Sequence, residues 1–118
     1  MKSLLLGLVL AMSAVLPAAA ENWVDINDEG IHPVIMDVDS VLTDRNGSYQ
    51  FWFMRSDGEF LYQEQAVIDC NNRIIHNGAG KKFTKTGRFL GAYDDSQSAP
   101  VTIRVDSTAA IYYNYFCR

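Results

Sequence analysis

Tyr62-Gln-Glu-Gln-Ala-Val-Ile-Asp-Cys70-Asn-Asn-Arg-Ile-Ile75 is the stretch on which the fold turns. Side chains alternate along an extended chain, so Ala66, Ile68 and Cys70 share one face of a strand. The run leads into one of only two cysteines; the other, Cys117, is the penultimate residue. A bond between them ties this strand to the end of the sequence and closes a loop of 47 residues. The chain-entropy model gives such a closure about 4 kcal/mol. That is a large contribution for a small domain with a limited core.

Upstream, Met1-Lys2-Ser3 precedes an apolar run from Leu4 to Leu16, and Pro17-Ala18-Ala19-Ala20 follows. A positive start, a short apolar core and small residues predict a secretory signal over residues 1–20, cleaved before Glu21. The run is shorter than the roughly 20 residues that span a bilayer. Export to the periplasm or cell surface is expected, with no lipid-anchor cysteine at the cleavage point. An oxidising compartment favours a Cys70–Cys117 bridge. Residues 21–118 are then one domain of ordinary size. The whole chain carries a net charge of −4, and loss of Lys2 makes it −5. This balance excludes a general nucleic-acid binder, which needs a basic surface.

Outward from the opening stretch, the pattern is mostly β. Trp23 to Asn27 alternates as a short first strand. Val34, Met36 and Val38 alternate with Ile35, Asp37 and Asp39, predicting a half-buried second strand. Asn46-Gly47 offers the positive φ angles of a tight turn. Tyr49 to Met54 is apolar on both faces apart from Gln50, which predicts a strand covered by a helix or lying at a subunit contact. Ser56-Asp57-Gly58-Glu59 turns the chain into Phe60–Cys70. Arg73 to Ile75 extends that strand or starts the next. Asn77-Gly78-Ala79-Gly80 is expected as a loop or bulge, Phe83-Thr84 and Arg88–Tyr93 as strands, and Asp94–Pro100 as a polar loop.

The last segment changes period. Asp106-Ser107-Thr108 supplies N-cap oxygens, and Ala109, Tyr112, Tyr113 and Phe116 follow the spacing of one helical face. The expected fold class is α+β: a small antiparallel β-sheet of about six strands with a C-terminal helix packed on it and one disulfide.

Several pieces in order resemble the surface-adhesin protein E family of Gram-negative bacteria. They are Trp23-Val24, Asp37-Val38-Asp39-Ser40-Val41, Ile68-Asp69-Cys70 and the Thr/Ser-capped segment ending Tyr115-Phe116-Cys117. The resemblance implies an antiparallel sheet with a C-terminal helix and a cysteine bridge. It also implies adhesion to host matrix and plasma proteins such as vitronectin, laminin and plasminogen. The sequence departs from the family pattern in lacking a lipid-anchor cysteine.

Residue patterns for catalysis are weak. Asp37 and Asp39 share a face of the expected strand, but two carboxylates on a polar face are ordinarily solvated. His32 and His76 stand apart from any cluster of zinc-binding spacing. Asp94-Asp95 lacks a calcium-loop pattern. No nucleophile motif is present, and no cofactor is expected. Lys81, Lys82, Lys85 and Arg88 concentrate positive charge in eight residues of an acidic chain. They read as a binding patch for an anionic glycan, lipid headgroup or acidic protein segment, or as lysines guarding an outer strand.

The leading expectation is therefore an exported, non-enzymatic binding module with a protein ligand. The alternatives are a small periplasmic inhibitor of a cell-wall hydrolase and a structural subunit of an envelope complex. The apolar surface of Phe51, Trp52, Phe53 and Met54 adds the expectation of a homodimer.

Overall fold

The computed structural model describes residues 21–27, 30 and 32–118. The signal expected over residues 1–20 lies outside them. β1 (Trp23–Asp25), β2 (Ile35–Asp37), β3 (Leu42–Thr43), β4 (Ser48–Ser56), β5 (Phe60–Asp69), β6 (Ile74–Thr84), β7 (Phe89–Asp94) and β8 (Val101–Thr102) form one sheet, followed by helix α1 (Thr108–Phe116). The main path runs β1-β2-β4-β5-β6-β7, with β3 beside β4 and β8 beside β6. The sheet has eight strands rather than about six. The two additions, β3 and β8, are two residues long, too short to leave a period in the sequence.

The hairpins follow from their turns. Gly47 and Gly58 sit at φ +84° and +92°, which a residue without Cβ adopts freely. Asn46 does not share the positive φ expected of it. Asp44 Oδ1 instead accepts from the Asn46 and Ser48 amides, at 2.8 and 3.0 Å, and shapes that turn. Arg73 stands at φ +56° where the chain turns from β5 into β6, with its guanidinium carbon 4.4 Å from the Tyr113 ring centre.

β4 distributes its apolar residues as a strand must. Phe51 and Phe53 lie under α1, whereas Trp52 and Met54 point to the helix-free side, where Gln63 and Gln65 are their cross-strand neighbours. Phe51 is fully buried and meets Tyr112 and Phe116 at ring separations of 4.9 and 5.1 Å. Tyr49 stacks on Phe116 at 4.8 Å. Such pairs add about 0.5–1.5 kcal/mol each beyond area burial. α1 begins where Ser107 Oγ accepts the Ala110 amide at 3.3 Å. It is moored by Tyr112, whose hydroxyl donates to the Ile35 carbonyl at 3.0 Å, and by the Cys70–Cys117 disulfide. Among the described residues, no helix is long and apolar enough to cross a membrane.

The second strand is shorter than its alternation predicts. β2 stops at Asp37, and Val38–Ser40 form a 3-10 turn. Asp37 is 4% exposed, and its Oδ1 accepts from the Asn22 and Asp39 amides at 2.9 and 3.1 Å. Its carboxylate therefore caps that turn, while Asp39 is exposed on it, and the two do not share a strand face.

Candidate functional site

α1 covers only part of its side of the sheet. Beyond it, two adjacent rows of side chains continue across β4, β5, β6 and β7. One row is Phe53, Glu64, Gly80 and Tyr93; the next is Arg55, Tyr62, Lys82 and Gly91. The rows align because a bulge in β6 sets Gly78 and Ala79 opposite Gln65, shifting the register between Glu64 and Ala66. The loop or bulge expected at residues 77–80 is thus a bulge inside one continuous strand.

Glu64 is the keystone of these rows. Its side chain is 1% exposed, while that of Arg55 above it is 45% exposed. A buried carboxylate is costly unless its oxygens are paired. Oε1 accepts from Arg55 Nε at 2.7 Å, and Oε2 accepts from the Tyr93 hydroxyl at 2.7 Å and from Arg55 Nη2 at 3.5 Å. The hydrogen bond to Glu64 raises the Arg55 pKa above its already high ordinary value. Burial, and then the bond to Glu64, raises the Tyr93 pKa as well.

The outer row is aromatic and cationic. The Arg55 guanidinium carbon lies 4.0 Å from the Tyr62 ring centre, and Lys82 Nζ lies 4.0 Å from that of Phe60 and 6.0 Å from that of Tyr62. Tyr93 meets Tyr62 edge-on at 6.4 Å. Asp57 fixes Tyr62 from the turn, accepting its hydroxyl at 2.8 Å. This surface was not singled out in the sequence. Its one signal was the turn at Ser56–Glu59, whose register sets Arg55 directly opposite Tyr62.

The four cations of the expected patch do not share one surface. Lys82 joins the row just described. Lys81 points to the opposite side of the sheet, with Nζ 5.9 Å from the Trp52 ring centre. Lys85 and Arg88 are exposed at the β6–β7 turn. Lys81 and Lys82 also lie on β6, inside β7, so neither guards an outer strand. His76 donates from Nε2 to the Ser98 carbonyl at 2.8 Å and ties down the loop after β7. His32 is exposed, and Asp94 accepts the Ser96 amide within the same loop at 2.8 Å. Among the described residues, no three His, Cys, Asp or Glu side chains gather closely enough to hold a metal ion.

Comparison of the chain with protein-family models, with curated proteins and with solved structures finds no match in any of the three.

Proposed function

We propose that the protein is an exported, non-enzymatic binding module that captures a protein ligand on the surface formed by Phe60, Tyr62, Lys82 and Arg55. The observation that carries this reading is the stacking of two cations on two aromatic rings, each at 4.0 Å. Aromatic residues and arginine dominate the energetic centres of protein interfaces. Here Glu64 and Asp57 hold Arg55 and Tyr62 in place before any partner arrives, which lowers the entropy lost on binding. The order of motifs resembling the surface-adhesin protein E family supports a matrix or plasma protein as the ligand.

The test is binding of the immobilised protein to vitronectin, laminin and plasminogen, with Tyr62→Ala and Lys82→Ala variants alongside. Each variant is expected to lose at least about tenfold in affinity, the scale of a hot-spot truncation. Lys81→Ala, on the other side of the sheet, is expected to bind as the parent does. Equal losses at Lys81 and Lys82 would reject this surface. Inhibition assays on basic cell-wall hydrolases, run with the same variants, test the inhibitor alternative.

A further inference from the structure

A second recognition element adjoins this surface. A cleft of about 470 Å³ opens between the first turns of α1 and the sheet, a volume within the range of small-molecule sites. Its floor is Phe53 and Ile75, Ala109 and Tyr112 form the helix wall, and Val34 and Val101 close the flanks. The polarity is uneven. Arg55 follows Phe53 on the same face of β4 and is the one charged residue of the lining.

Three features define what fits. The lining is mainly hydrocarbon, so most of the occupant must be apolar. The strand edges left free along the lining, β8 and the end of β4 beyond Met54, are two residues each, too short to pair with an extended peptide backbone. At the charged end, a guanidinium carries five N–H donors, and Arg55 spends one from Nε and one from Nη2 on Glu64. Its remaining three have no protein partner among the described residues. Glu64 also fixes the plane of the guanidinium, leaving the free N–H groups in the fork geometry that matches a carboxylate.

From this juxtaposition we infer that the cleft binds a medium-chain carboxylate, with the alkyl chain on Phe53, Ile75 and Val101 and the carboxylate on the free N–H groups of Arg55. The site is separate from protein capture in its ligand and is read without any protein partner.

Calorimetric titration with sodium decanoate below its micelle concentration tests the inference, with decanol and butanoate as companion probes. One decanoate per chain is expected, with decanol and butanoate each at least tenfold weaker. Thr108 is exposed at the cleft rim, so Thr108→Phe should fold normally, fill the opening and weaken decanoate at least tenfold. Arg55→Gln should reduce decanoate to the affinity of decanol. If that variant unfolds because Glu64 is left unpaired, Arg55→Gln/Glu64→Gln removes the buried charge and makes the same measurement. Absence of saturable binding to the folded parent overturns the inference. So does equal affinity for decanol, or decanoate binding unaffected by Thr108→Phe.

Discussion

The Tyr93 hydroxyl reaches Glu64 Oε2 at 2.7 Å by passing over the backbone of Gly80, which is the direct cross-strand partner of both residues. A Cβ at position 80 would overlap the Tyr93 ring. Gly80→Ala is therefore expected to displace Tyr93 and break its bond to a buried carboxylate. Loss of a hydrogen bond to a charged group costs about 1.5–3 kcal/mol, and urea unfolding should show a change of that size. Tyr93→Phe should cost a similar amount. The double variant should be no worse than the poorer single one, because both remove the same contact. Strict additivity would contradict the assignment.

Alkaline stability should depend on the same tyrosine. Burial and the Glu64 bond raise the Tyr93 pKa above the ordinary value of 10.0. Folding then favours the protonated phenol. Its contribution is fully present below pH 10 and is lost as the pH climbs through the raised value in the folded protein. Burial raises Tyr112 in the same direction. In an ultraviolet titration of the folded protein, Tyr93→Phe should delete one late-ionising group. Ionisation of Tyr93 at the ordinary value would contradict the buried network.

At the acid end, Asp57 carries the opposite sign. The Phe60 and Glu59 amides, then the Tyr62 hydroxyl, hold its pKa down at about 2, against an ordinary 3.8. Its contribution is present above pH 3.8 and fades as the pH falls toward 2. Carboxyl chemical shifts followed by NMR should place its midpoint well below the ordinary 3.8. A midpoint at the ordinary value would show that the turn does not order Asp57 in solution.

Reduction of the single disulfide should lower unfolding stability by about 2–5 kcal/mol, the range for small bridged domains. The residual attachment of α1 then rests on Tyr112, Phe116 and the Tyr113 hydroxyl, which donates to the Cys70 carbonyl at 3.2 Å. Urea unfolding with and without reductant measures the difference. An unchanged midpoint would contradict a structural role for the bridge.

Features written in local chemistry were legible in the sequence. Ser107 caps α1, Gly47 and Gly58 turn the hairpins, and Cys70 and Cys117 pair. Features that depend on register were not. The alternation through Val38 extended β2 too far because it registers polarity alone, and Asp37 turns inward to cap a 3-10 turn. The four neighbouring cations looked like one patch, yet adjacent residues on a strand face opposite sides, which separates Lys81 from Lys82. The Glu64 network was hidden for another reason. Its third member lies 29 residues away and arrives only through the β6 bulge, whose position no local pattern specifies.

The disulfide also makes the molecule mechanically unequal. β6, β7, β8 and α1 lie within the covalent ring, whereas β1 to β5 lie outside it. Tension applied between residues 21 and 118 passes from Cys70 to Cys117 through the sulfurs, so the ring bears none of it. Only the segment before Cys70 can be drawn out. In single-molecule stretching, cutting the bond should release the 47-residue slack as roughly 160 Å of added contour, at about 3.4 Å per residue. A module pulled from its ends would thus unravel its first five strands while Lys82, Tyr93 and the helix stay inside a tether of fixed length.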